Sequence, residues 1–137
     1  MSEVIFEDGF NLLCGKQLGS GISRKVFECR LDPTLVVKVQ HDDTKPPLEN
    51  MMEFEVWQSA MMTEFAKWFA PCVLLSTTGR ILLQKRTFPC RDLPLKVPAF
   101  FTDLKPDNWG LLDGKPVCHD YACLLYTSPS PRDKRQS

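Results

Sequence analysis

A lysine stands inside Leu35-Val36-Val37-Lys38-Val39, a run otherwise apolar and rich in β-branched residues. Such a run predicts a buried strand, the third of the chain. Burying an ammonium is costly unless it reaches a partner, so a fold that buries this strand must bring an anionic group to Lys38. The alternative is an edge strand with its lysine turned to solvent.

The flanking segments extend a pattern of short strands. Phe10, Leu12, Leu13 and Leu18 fit a first strand over 10–18, and Val26-Phe27-Glu28-Cys29-Arg30 a second. Between them lies Gly19-Ser20-Gly21-Ile22-Ser23-Arg24-Lys25-Val26-Phe27. Two glycines in a strand-turn-strand setting let backbone approach phosphate oxygens, although an ordinary hairpin with a glycine turn has the same spelling. Asp32-Pro33 supplies the next turn.

After a polar stretch from His41 to Pro47, Asn50-Met51-Met52-Glu53 fits a helix start, with Met52, Phe54, Val56, Trp57, Ala60 and Met61 on a broad apolar face. The helix is expected to break near Thr63, with Phe65, Trp68 and Phe69 in a second short helix or turn. Glu53 either faces inward with Val56 and Trp57 or reaches back to cap Asn50. Cys72-Val73-Leu74-Leu75-Ser76 and Ile81-Leu82-Leu83-Gln84 then form a hairpin through Thr77-Thr78-Gly79-Arg80, giving the fourth and fifth strands.

The chemistry-bearing stretch is Asp103-Leu104-Lys105-Pro106-Asp107-Asn108, which sets a carboxylate, an ammonium and an amide on one short loop. Trp109 to Leu112 and Lys115 to Cys118 follow as a hairpin around Asp113-Gly114. That hairpin is expected to deliver Asp120 beside Asn108, as two oxygen ligands of a shared metal would require.

Composition narrows the rest. The chain has 137 residues, 43% hydrophobic and 25% charged, which suits one soluble domain. Lys plus Arg and Asp plus Glu both number 17, so no net field draws the chain to nucleic acid or an anionic membrane. No apolar run approaches the roughly 20 residues of a membrane span. Met1-Ser2-Glu3-Val4 does not open a signal peptide, and a cytoplasmic location is expected. The six cysteines are scattered and are expected to be reduced, mostly buried thiols.

In their order, the Gly19/Gly21 loop, Lys38, a helix Glu, Asp103-Leu104-Lys105-Pro106-x-Asn108 and Asp120 resemble the protein kinase-like superfamily. The resemblance spans about residues 12–122 and implies an α+β fold: a five-stranded antiparallel small lobe with one main helix, then an abbreviated large lobe. The domain is expected over 1–122, with the small lobe at about 10–86, a hinge at about 84–87, and the catalytic loop and metal-site hairpin at about 97–122. It implies an ATP-dependent phosphotransferase acting on an unidentified hydroxyl acceptor, with Mg²⁺; the alternative is a pseudokinase that binds nucleotide without turnover. By resemblance, Asp103 is the general base and Lys105 stabilises the transferring phosphoryl group, while Lys38 holds the nucleotide phosphates. Lys38 also pairs with Glu53, Glu55 being the runner-up. Asn108 and Asp120 ligate Mg²⁺, and Gly19, Gly21, Arg24, Val26 and Gln84 line the nucleotide, Arg24 standing where a third glycine is usual and adding a cation near the phosphates. Lys38 and the loop residues must then converge on one pocket.

The departures are informative. Thr102 precedes Asp103 where Arg is usual, His119-Asp120-Tyr121-Ala122 stands for D-F-G, and no A-P-E segment follows. Only 15 residues separate Thr87 from Asp103, where ordinary kinases place helices, so Val97, Phe100 and Phe101 are expected to anchor the loop. This is closer to the small kinase-like proteins of phages and bacteria than to a eukaryotic signalling kinase. Residues 123–137 read as a disordered tail and resemble a translated sequencing-library adapter, so the natural chain is expected to run on past Ala122.

Overall fold

The computed structural model describes residues 2–41, 45, 48–90, 92–94, 96–101, 104–122 and 124, with the side chains of Ser2 and Glu3 excepted. The expected tail at 123–137 therefore lies, Leu124 apart, outside the described residues, and so do Thr102 and Asp103. The fold is α+β, with a five-stranded antiparallel sheet and two α-helices. The chain divides into two compact units, Met1–Met51 with Cys72–Arg86, and Met52–Pro71 with Thr87–Ser137.

In the first unit, helix α1 (Ser2–Leu13) leads into β1 (Cys14–Ser20), β2 (Arg24–Cys29) and β3 (Leu35–Gln40). After helix α2 (Glu49–Ala60), which continues into the second unit, come β4 (Cys72–Leu75) and β5 (Ile81–Lys85). The strand order is β1-β2-β3-β5-β4, so the lysine-bearing strand is central. The expected first strand over 10–18 is corrected here: residues 10–13 are helical and the strand starts at Cys14. Phe6, Phe10 and Leu13 stand at i, i+4 and i+7, a helical period that brings Phe10 and Leu13 against the sheet.

Alternation along the strands divides the sheet into two faces. One carries Phe27, Cys29, Leu35 and Val37, buried with Cys14 under Phe10 and Leu13 of α1. Phe10 and Phe27 meet edge to face at 5.3 Å. Cys14 and Cys29 are register partners, and burial with the neighbouring Cys29 pushes the Cys14 thiol up to about 11. The other face carries Val26, Lys38 and Leu82 in one row and Val36 beside Gln84 in the next. The β2–β3 turn is held by Asp32, whose carboxylate accepts from the Thr34 N–H at 2.8 Å and hydroxyl at 2.7 Å; those bonds hold its pKa below the usual carboxylate value.

Gly79 is needed at its position for two reasons. Its φ is +80°, and a Cβ there would stand 2.6 Å from Met51 Cγ. The β4–β5 turn therefore seats on the first turn of α2, where Leu48 is also buried.

In the second unit α2 ends at Ala60, as expected, because Thr63 turns the chain. Its hydroxyl donates to the Ala60 carbonyl at 2.7 Å and accepts from the Phe65 N–H at 3.1 Å, starting the 3-10 turn Glu64–Trp68. A three-stranded sheet follows: β6 (Phe88–Pro89), β7 (Trp109–Leu112) and β8 (Lys115–Cys118), in that order. The β7–β8 hairpin turns through Asp113 and Gly114, whose positive φ values of 52° and 79° suit the right-handed twist of its strands. Aromatic rings hold this unit: Phe69 contacts Phe100, Phe101 and Tyr121 at centroid distances of 6.0, 5.3 and 4.8 Å. Phe101 also lies 5.0 Å from Trp109. Phe100 and Phe101, two of the three residues expected to anchor the loop, thus pack into this cluster. Among the described residues, no helix is long and apolar enough to cross a membrane.

Candidate functional site

Lys38 is 4% exposed on the central strand, so the edge-strand alternative fails. On its own sheet face it is flanked by its register partners Val26 and Leu82. Its backbone carbonyl accepts from Asn50 Nδ2 at 3.0 Å, which ties the start of α2 to this strand. Asn50 N–H in turn donates to Gln40 Oε1 at 2.9 Å. Asn50 is therefore a buried junction between strand and helix, lying inside α2.

Arg24 joins the same junction. It is 6% exposed, its Nη1 donates to Asn50 Oδ1 at 3.2 Å, and its Nε lies 3.6 Å from Glu49 Oε2. Expected as a cation near nucleotide phosphates, Arg24 has its side chain buried against the first residues of α2. Ser23 hydroxyl donates to Glu49 as well, closing the base of the glycine loop.

The loop itself is the β1–β2 turn, with Gly21 N–H donating to the Arg24 carbonyl at 2.8 Å. A Cβ at Gly19 would meet nothing within 4 Å, and one at Gly21 only the Arg24 carbonyl at 3.9 Å. Neither position needs glycine for its backbone conformation or for packing. What the two glycines leave is bare backbone at the tip of the turn.

Gln84 lies inside β5, between Val36 of β3 and Cys72 of β4, and is 1% exposed. Both edges of its backbone belong to the ladder, and its side chain amide donates to Cys72 Sγ at 3.8 Å, a weak contact. Arg86 N–H continues the pairing to the Thr34 carbonyl at 2.8 Å. The sheet thus runs through the expected start of the hinge as far as Lys85.

In the second unit Glu53 is 0% exposed and its Oε2 accepts the Tyr121 N–H at 2.7 Å. The two residues are 68 positions apart, and Tyr121 directly follows Asp120. Glu55 is exposed, which sets it aside as the inward carboxylate. Tyr121 is fixed again by its hydroxyl, which donates to the Ala70 carbonyl at 2.7 Å. On the other side of Asp120, the Asn108 carbonyl accepts the His119 N–H at 2.8 Å and the Asp120 N–H at 3.4 Å. Asn108 and Asp120 therefore meet through their backbones, as the hairpin predicted.

His119 is the residue that sequence reasoning passed over. Its Nδ1 lies 2.7 Å from Thr87 Oγ1 and its Nε2 lies 2.7 Å from the Asp107 carbonyl. A carbonyl only accepts, so Nε2 carries the proton; in the neutral ring Nδ1 then accepts from the Thr87 hydroxyl. The ring thus pins the loop at Asp107 to the chain at Thr87. Gly110 makes room for this: a Cβ there would stand 2.6 Å from Thr87 Cβ and 3.0 Å from His119 Nδ1. A glycine inside a short strand, with a histidine preceding an acidic residue just past the paired strand, was the available signal.

Lys105 is exposed, and its carbonyl accepts the Asn108 N–H at 2.9 Å across the 3-10 turn Pro106–Asn108. Asp103 lies outside the described residues. Among the described residues no three His, Cys, Asp or Glu side chains cluster as a metal site. Asn108 is half-buried and Asp120 exposed, and an amide and a carboxylate are oxygen donors of the kind that suits Mg²⁺ when waters and phosphates complete the shell. Compared with protein-family models the chain matches none, and no curated protein matches it.

Proposed function

We propose that the chain is an ATP-dependent phosphotransferase of protein kinase-like build, passing the γ-phosphoryl group to a hydroxyl acceptor. The observation that carries the proposal is the junction around Asp120. A buried helix carboxylate, Glu53, accepts the N–H of the next residue, while Asn108 accepts the N–H of Asp120 itself. Glu53, Asn108 and Asp120, picked from three separate stretches, are drawn together here by hydrogen bonds to the N–H groups of residues 120 and 121. The buried lysine on the central strand and the two glycines that the fold does not require add independent support.

On this reading Lys38 holds the α- and β-phosphates and pairs with Glu53, and the bare backbone at Gly19 and Gly21 covers the phosphate chain. Asn108 and Asp120 would hold Mg²⁺, which supplies charge neutralisation along the phosphates. Asp103 accepts the acceptor's proton as its oxygen bonds to the γ-phosphorus. The bond from that phosphorus to the bridging oxygen breaks, and ADP leaves. Lys105 offsets the charge on the phosphoryl oxygens in flight.

The test is transfer or hydrolysis of γ-labelled ATP with Mg²⁺, together with the ATP-induced rise in Tm. Lys38→Met and Asp120→Asn are each expected to lower turnover at least about 100-fold, the scale of losing one preorganised charge. A Tm rise with no transfer and no hydrolysis favours the pseudokinase alternative. That alternative has one observation in its favour: among the described residues from 88 to 101 there is one two-residue strand and no helix to seat a peptide acceptor. No Tm rise at all sinks both.

A further inference from the structure

The first unit contains a hollow that the phosphotransferase proposal does not use. It lies between α1 and the sheet face opposite Lys38, with a volume of about 480 Å³. That size falls within the range of small-molecule sites. Its apolar walls are Phe6 and Phe10 of the helix and Phe27, Val39 and Ile81 of the sheet.

The strand registers place the polar lining at one end. Lys25 pairs with Val39, which pairs with Ile81 across the sheet. Lys25 near the start of β2, His41 just past β3 and Arg80 just before β5 therefore share one end of the three central strands, and all three line the hollow. Lys25 is exposed, and no carboxylate lies within salt-bridge distance of it among the described residues. Arg80 donates through Nη1 to the His41 carbonyl, and its guanidinium carries further N–H donors at this end of the hollow's lining.

Gly9 points the same way. It lies on the α1 stripe with Ile5, Phe6 and Phe10, and a glycine weakens a helix interior. Close packing does not explain it, because a Cβ there would meet nothing within 4 Å. What a missing side chain leaves on this stripe is room.

We infer that this hollow binds a small amphipathic carboxylate, its apolar chain against the phenylalanines and its carboxylate at Lys25, His41 and Arg80. Three basic groups at one end of an apolar slot complement one anionic head on an apolar body, and an uncharged lipid would leave that end unmatched.

The experiment titrates the full chain with dodecanoate and with dodecanol, both below the concentrations at which they aggregate, following heat and Tm. Saturable binding of dodecanoate at least about tenfold tighter than dodecanol is expected, with Lys25→Glu removing most of that preference. Gly9→Leu is expected to weaken both ligands by filling the slot, while Gly9→Ala preserves binding and reports that the helix tolerates the site. Equal binding of acid and alcohol, dodecanoate binding unchanged in Lys25→Glu, or no saturable binding overturns the inference. The outcome is independent of ATP turnover, since no residue of the phosphotransferase proposal lines the hollow.

Discussion

The two units are held by different physics. In the first, five strands satisfy each other's backbone groups and bury one face by simple alternation, so many positions share the task. In the second, a small three-stranded sheet and a ring cluster are fixed by single side-chain bonds to backbone: Glu53 to Tyr121, Tyr121 to Ala70, His119 to Asp107. It also buries the Trp109 indole N–H with no hydrogen-bond partner among the described residues. A unit built this way depends on individual residues, and it is the unit that carries Asn108 and Asp120.

The sharpest way to break that contrast is to remove one residue from each. Phe69→Ala is expected to cost about 3–5 kcal/mol and to expose the amides of the β7–β8 hairpin to hydrogen exchange while β3 stays protected. Leu82→Ala, at a fully buried sheet position, is expected to cost about 2–5 kcal/mol and to loosen the sheet amides first. Equal loss of protection in both units from either change would refute the division.

Next in size, Glu53→Ala leaves the Tyr121 N–H buried and unmatched, an expected cost of about 1–3 kcal/mol in denaturant titration. Glu53→Gln keeps an acceptor and should recover most of it. Tyr121→Phe, which removes the bond to the Ala70 carbonyl, is expected to cost about 1 kcal/mol. A Tyr121→Phe effect as large as that of Glu53→Ala would mean that the ring cluster, not the backbone tie, sets the position of residue 120.

The smallest effect at neutral pH belongs to the first unit. The unfolded Cys14 thiol ionises near 9.0 and the folded one near about 11, so the folded state resists losing this proton. Its contribution is complete below pH 9 and drains away as pH rises to about 11. The denaturation midpoint of the wild type should therefore fall more steeply across that window than that of Cys14→Ala.

Much of the first unit was legible because alternation and turn residues act locally. The β3 run and the β1–β2 and β4–β5 hairpins could be read from neighbours in sequence, as could the break at Thr63 in the second unit. Helix α1 could not, because Asp8-Gly9 resembles a turn and obscures the period joining Phe6, Phe10 and Leu13. In the second unit the period of α2 put Glu53 on an inward face but carried no information about Tyr121, 68 residues away. β6 is two residues long and contains Pro89, too short for any pattern. The surroundings of Arg24 and Gln84 could not be read from their positions in a motif, because contacts with Asn50, Glu49 and Cys72 come from distant parts of the chain.

The Asp113-Gly114 turn has a practical corollary. Register pairs from Trp109 with Cys118 to Leu112 with Lys115 clamp the hairpin below it, so the tip can lengthen without disturbing the paired ends. Loop closure grows only by about 0.6 kcal/mol for each doubling of length. A guest peptide spliced in after Gly114 would ride on the hairpin as on the end of a stiff rod, which makes this tip the natural port for a label or an added recognition segment.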